Sequence, residues 1–195
     1  MNFPKVYLAS ASPRRKELLT QIGVNFSVLS IAVDESVKPG EMPSDYVERI
    51  ALAKARAGWE TLQTDFRPVI GADTAVVLPT QQILGKPESL DQARDFLGQL
   101  SGIQHQVLSA VAIVWQQQYW LSLQISDVRF KTLTNTEIDW YLATGEGKDK
   151  AGGYAVQGLA AMFIENISGS YSGVMGLPLF ETRQLLQQVT NLNEQ

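Results

Sequence analysis

The chain has 195 residues, is 45% hydrophobic, carries a net charge of −4 and contains one histidine and no cysteine. That length suits one globular domain with a sizeable core spanning 1–195; the missing cysteine excludes thiolate nucleophiles and Cys/His zinc sites, and the missing basic runs argue against a nucleic-acid binder. No apolar run approaches the roughly 20 residues of a membrane span, and "MNFPKVYLAS" lacks the apolar stretch of a secretory signal, which makes the cytoplasm the default location.

Residues 5–10, "KVYLAS", read as a short strand. A helix follows, with Ser12 as N-cap, Pro13 at the first position, Leu18, Leu19 and Ile22 on the buried face and Gly23 as the stop. "NFSVLSIAV" reads as a second strand ending at Asp34 and Glu35, and a helix is expected from Ser44 to about Gly58. "RPVIGADTAVVLP" reads as a buried strand and "QQILGKP" as its hairpin partner or a loop. Ser89 and Gln92 form a capping box for a helix that stops near Gly102. Two long strands, "HQVLSAVAIVW" and "YWLSLQISDVRFKTL", join around Gln116–Gln118 as an antiparallel hairpin; the second alternates Ile125, Asp127, Arg129 and Lys131 against Ser126, Val128 and Phe130. Thr134 and Glu137 cap a further helix ending at Gly145, a glycine-rich stretch follows, Pro178 opens the last helix, and the tail "NLNEQ" is expected to fray. Strands alternating with helices around an antiparallel hairpin predict an α/β fold: a mixed twisted sheet flanked by helices.

Several charges stand where local physics disfavours them. Arg14 and Arg15 sit at the start of a helix, the positive end of its dipole, where acids are preferred. They are either solvated surface residues or, with the helix amides and the small residues Ala9–Ser12, partners of one anion such as a phosphate. Lys54 lies in the middle of the apolar stripe Val47, Ile50, Ala51, so it either snorkels out or reaches a pocket or a buried carboxylate. Asp73 is embedded in "VIGADTAVVL"; an isolated carboxylate there is heavily penalised, so it caps a turn, pairs with a cation, binds a metal or acts as a general base. Lys86 and Glu35 are weak signals alone. His105 has no nucleophile elbow near it and reads as an ordinary strand-edge residue. Together Arg14, Arg15, Lys54 and Lys86 supply cations, and Glu35 and Asp73 carboxylates, in an acidic protein; a nucleoside triphosphate with about four negative charges matches that set. With no P-loop and no GxGxxG, neither standard phosphate cradle is present.

"SASPRR", "DES", "KARAG", "GADT", "GKP", "DKAGGYAVQG" and "GSYSGVMGLPL", in this order, closely resemble the Maf family of nucleoside triphosphate pyrophosphatases over residues 5–183. The resemblance implies a fold with a nucleotide-binding cleft related to inosine triphosphate pyrophosphatases, a cytoplasmic homodimer, and dependence on a divalent cation, Mg²⁺ or Mn²⁺. It assigns the proton acceptor to Asp73, the metal-site acid to Glu35 beside Asp73, and phosphate-binding cations to Arg14, Arg15, Lys54 and Lys86, with Ser10 and Ser12 in the same loop. Base-specificity positions fall on Arg14, Thr74 and Gln157. "PRR", "ADT" and "VQG" resemble the subgroup that acts on dTTP and UTP. A nucleotide-sensing regulator of cell division that binds without hydrolysis remains a second reading, and a pyrophosphatase of ITP or 7-methyl-GTP a third.

Overall fold

The computed structural model describes residues 3–193. In chain order the elements are β1 (Val6–Leu8), α1 (Pro13–Gln21), β2 (Phe26–Val28), α2 (Pro43–Glu60), β3 (Val69–Val77), β4 (Ile83–Leu84), α3 (Leu90–Leu100), β5 (Gln104–Trp115), β6 (Gln118–Phe130), α4 (Asn135–Thr144), β7 (Ile164–Ser168), α5 (Tyr171–Met175) and α6 (Leu179–Asn193). Single 3-10 turns at Ala151–Gly153 and Leu159–Phe163 lie between α4 and β7. The strands form one mixed sheet in the order β2–β1–β3–β5–β6–β7, with β4 paired to β3. β1 is parallel to β2 and β3; the other pairings are antiparallel.

β3 and β5 hold the middle of the sheet, so both faces of each are covered and their sequences are almost continuously apolar. One face carries α2, whose Val47, Ala51 and Ala55 pack on Ala75, Val77, Ala110, Ala112 and Val114. Small residues let this helix lie close. A Cβ on Gly71 would stand 2.2 Å from the Ala51 carbonyl oxygen and 2.5 Å from the Ala55 nitrogen. The opposite face is thicker: Leu18 and Leu19 of α1, Phe96 and Leu97 of α3, and Leu186 and Val189 of α6 cover Ile70, Ala72, Val111 and Ile113. Each such large side chain, fully buried, contributes about 1.5–3 kcal/mol of transfer free energy.

The sheet is split along one edge of β3. β1 pairs only with Val69 and Ile70, then leaves as the loop to α1; β4 pairs only with Val76 and Val77. Residues 71–75 therefore have no strand beside them on that edge among the described residues. The two interrupted strands continue into Ser10–Arg15 and into Lys86, so the gap is flanked by the segments that carry Arg14, Arg15 and Lys86.

Most expected elements form. The Thr134–Glu137 capping box is complete, and Gly145 ends α4 with φ of 70°. β5 and β6 make the antiparallel hairpin, with Ser126, Val128 and Phe130 buried as the alternation requires. α2 starts one residue earlier and ends two later than expected, and Pro178 directly precedes α6. Asn191–Asn193 continue α6; Glu194 and Gln195 of the tail lie outside the described residues.

Three expectations need correction. The strand drawn through 25–35 is only Phe26–Val28, because its one neighbour, β1, is itself three residues long; 29–42 is irregular, and Glu35 lies in that loop. Ser89 accepts the Gln92 N–H at 3.1 Å, but the Gln92 amide oxygen takes the Glu88 N–H at 2.6 Å, so the cap is not a reciprocal box. His105 is not at an edge. It enters the interior strand β5, is 1% exposed, and meets the Tyr154 hydroxyl at 2.8 Å beside the Phe130 ring.

Candidate active site

The centre of the gap is a lysine between two acids. β3 alternates its side chains, which sends Asp73 toward α2 and Thr74 to the opposite face. On α2, Lys54 follows Val47, Ile50 and Ala51 on the buried stripe and is 9% exposed. Its Nζ lies 2.8 Å from Asp73 Oδ1 and 2.7 Å from Glu35 Oε1. Asp73 is buried, whereas the Glu35 side chain is 44% exposed. The stripe reading of Lys54 as reaching a buried carboxylate holds, and snorkelling does not.

Glu35 needs support because no strand or helix holds it. α2 supplies that support. The Tyr46 hydroxyl donates to the Glu35 carbonyl at 3.0 Å, Arg49 donates to the Ser36 carbonyl at 2.9 Å, and Arg49 grips Glu41 with two bonds of 2.5 and 2.7 Å. Burial alone lifts the Glu35 carboxyl; the bond to Lys54 and the charges of Lys54, Lys86 and Arg15 outweigh it and leave the group below its ordinary value. Lys86 is exposed on the rim and acts on Glu35 through space.

The two arginines diverge. Arg15 donates from Nε to the Gly176 carbonyl at 2.8 Å and from Nη1 to Ser10 Oγ at 3.1 Å. Burial lowers its pKa, against the opposing pull of Asp73 and Glu35. Arg14, also lowered by burial, faces Asp149, Glu17, Tyr141 and Glu146 instead. Ser12 occupies the N-cap position without a side-chain capping bond; its N–H donates to Ser10 Oγ at 3.3 Å. The first turn of α1 therefore holds two arginines and no acid, and its amides lack a side-chain cap.

Thr74 has a defined polarity. Ser109 Oγ lies 2.6 Å from the Gly173 carbonyl, which can only accept, so Ser109 donates there. Thr74 Oγ1, 2.9 Å from Ser109 Oγ and 3.4 Å from the Gly176 carbonyl, then spends its proton on the protein and presents only lone pairs to a ligand. Gly176, whose carbonyl receives Arg15, holds φ of 122°, a conformation that favours glycine.

Glu35, Asp73, Lys54, Arg15 and Ser10 are thus joined by contact or charge, with Thr74 linked through Gly176 and Lys86 and Arg14 at the margins. Gln157 is exposed in the loop between the 3-10 turns, with no bond to that cluster. A cavity of about 190 Å³ lies apart, between α3 and α4, walled by Pro87, Leu90, Ala93, Tyr141, Leu142 and Gly153, and includes none of the sequence-predicted residues. Its walls are mostly apolar, with Glu88, Ser89 and Lys148 also in the lining. No group of three or more His, Asp or Glu side chains gathers among the described residues; Glu35 and Asp73 are a pair. Ser109, Tyr46, Arg49 and Gly176 were not singled out from the sequence, since each acts through a backbone group remote in the chain. The closeness of Tyr46 and Arg49 to Lys54 on one helix is the signal that points to two of them.

A mixed sheet opened beside a parallel strand, with its charged groups gathered where that strand ends, defines an α/β protein with its polar site at a strand's carboxyl end. The chain belongs to the Maf-like protein family, whose sequence profile matches residues 5–189. Relatives named dTTP/UTP pyrophosphatase include those of Pseudoalteromonas atlantica, 50% identical over 96% of this chain and 98% of the relative, and Alkalilimnicola ehrlichii, 51% identical over 95% and 93%. Among solved structures, the Staphylococcus aureus Ham1 protein aligns at TM-score 0.48 and 13% identity, over 73% of this chain and 98% of that chain. A likeness that remote says nothing about chemistry.

Proposed function

We propose that this chain hydrolyses dTTP and UTP, with modified pyrimidine analogues, to the monophosphate and pyrophosphate. The observation that carries the reading is Lys54 Nζ held between Glu35 and Asp73 at the floor of the gap in the sheet; the names of the half-identical relatives give the substrate. Arg14, Arg15, Lys54 and Lys86, with the Ser10 and Ser12 loop at the head of α1, hold the triphosphate and stabilise charge on the departing pyrophosphate. Asp73 takes the proton of the attacking water; being buried and fixed by Lys54, it is oriented before substrate arrives. A divalent cation fits the donor set: Lys54 engages one oxygen of each carboxylate, which leaves the second oxygens of Glu35 and Asp73 as the hard ligands that Mg²⁺ or Mn²⁺ prefers. When bound it supplies charge neutralisation.

Uracil and thymine present acceptor, donor and acceptor at O4, N3–H and O2, whereas cytosine presents N4–H₂ where they present O4. Thr74, restricted to accepting, suits a donor, and the Gln157 amide offers one donor and one acceptor. On the family resemblance we infer further that the chain is one domain, a homodimer in the cytoplasm, and that it takes free nucleotide; the net charge of −4 supports the last point.

Incubation with dTTP, UTP, CTP, ITP and 7-methyl-GTP, each with Mg²⁺ or Mn²⁺, is the test. Pyrimidine monophosphate and pyrophosphate are expected from dTTP and UTP. Orthophosphate as product, cleavage of the purines alone, or tight binding without turnover would reject the reading.

A further inference from the structure

The loop that carries Gln157 is held on both sides by one carboxylate and one phenol. Tyr141, 1% exposed, donates its hydroxyl proton to Glu146 Oε1 at 3.0 Å and accepts the Ala155 N–H at 3.3 Å. Glu146 then reaches past Gln157: Oε2 accepts the Leu159 N–H at 2.8 Å, and Oε1 accepts the Ala160 N–H at 3.3 Å. Two residues before the glutamine and two and three residues after it, the backbone is therefore tied to the same pair of side chains. Gly158 shows how close the fit is, since a Cβ there would lie 2.2 Å from Oε2 and 2.5 Å from Oε1.

The field of the carboxylate also reaches Arg14. Arg14, at the head of α1, is charged in the field of Asp149, Glu17, Tyr141 and Glu146. Glu146 is thus bonded to the segment proposed to read the base and acts through space on an arginine proposed to hold phosphate. α4 ends at Gly145, where a positive φ turns the chain and directs Glu146 back toward Tyr141, five residues earlier.

We propose that Glu146 is a positioning residue for base recognition: through its bonds to Tyr141 and to the Leu159 and Ala160 amides it fixes the place of Gln157, and so sets selectivity for the pyrimidine without touching substrate. This rests on the reading of Gln157 as the base contact. The exposed Gln157 side chain gains discrimination only if its backbone is fixed before the base arrives, because an unfixed loop lets the amide turn to suit either edge.

The experiment compares Glu146→Gln with wild type, measuring kcat and KM for UTP and the inhibition constant of CTP as competitor. Gly158→Ala serves as a second variant, since its methyl group displaces the flexible carboxylate without deleting it, and Gln157→Ala as a reference. Expected for both clamp variants is a KM for UTP raised about tenfold, kcat within about threefold and an unchanged CTP constant, so that the preference for UTP falls. Equal weakening of UTP and CTP, a kcat loss alone, or no change would overturn the proposal and leave Glu146 a staple of the fold. If Gln157→Ala keeps the full preference for UTP, the base-contact reading fails first. If it loses the preference and both clamp variants retain it, the role of Glu146 alone fails.

Discussion

Gly71→Ala tests whether the approach of α2 to the sheet sets the catalytic geometry. The added methyl would stand 2.2 Å from the Ala51 carbonyl oxygen, 2.5 Å from the Ala55 nitrogen and 3.0 Å from the Ala55 Cβ. Two of these three are backbone atoms, so no rotamer change relieves the overlap and the helix must retreat by about 1 Å to restore van der Waals contact. Overpacking of this kind costs about 1–3 kcal/mol, and backbone involvement places it at the upper end. For a chain of this length that lowers Tm by roughly 6–12 °C. Lys54 lies on the same segment of α2, between Ala51 and Ala55, so the retreat draws its ammonium from Asp73, now 2.8 Å away. A misplacement of about 1 Å can cost about a hundredfold in rate, partly absorbed by the flexible lysine stem, so turnover should fall roughly ten- to hundredfold. Gly98→Ala is the control: the same chemical change inside α3 meets nothing within 4 Å and should stabilise by about 0.5–1 kcal/mol with activity intact. Scanning calorimetry and pyrophosphate release read both. A Gly71→Ala protein with wild-type Tm and turnover would refute the reasoning.

Asp73→Asn keeps the shape and an oxygen for Lys54 but not the base; turnover should fall at least about a hundredfold, or about 2.7 kcal/mol of barrier, with Tm nearly unchanged, and wild-type activity would reject the assignment. Lys54→Ala should raise KM for UTP and lower kcat together, because it removes phosphate binding and leaves Glu35 and Asp73 facing each other; an unchanged profile would end its role. Burial pushes His105 down to about 4 from 6.5, so the unfolded chain binds the proton more tightly and acid favours unfolding. The contribution of neutral His105 is fully present above pH 6.5 and is lost as pH falls toward 4, about 3 kcal/mol in all. Urea unfolding at pH 7.5 and 4.5 should show His105→Gln losing less on acidification than wild type; parallel losses would contradict it.

Lys54 and Asp73 were legible because each breaks a local rule: a cation at the centre of a 3.6-residue apolar stripe and an acid in a continuous apolar strand leave few outcomes other than each other. The cap of α4 was legible for a related reason, since Thr134 and Glu137 satisfy one another within a single turn. What failed depended on neighbours. β2 stops at Val28 because β1 gives it no further partner, and nothing in "LSIAV" reports the length of another strand. His105 reads as marginal in "SGIQHQVLS" and is buried because the Phe130 and Tyr154 rings, distant in the chain, pack against it. Ser109 and Glu146 remained silent because their partners are mostly main-chain atoms many residues away, which carry no side-chain signature.

Because Tyr46, Arg49 and Lys54 all project from α2, one helix carries both the ammonium and the fastenings of the acid loop. When that helix slides or tilts, Glu35 travels with it, so the 2.7 Å spacing of this first pair is insulated from drift in packing. Asp73 is rooted in the sheet and has no such companion. Evolution or engineering that resizes side chains beneath α2 therefore tunes a single separation, between a mobile carriage and a fixed stop, while the rest of the constellation moves as a piece.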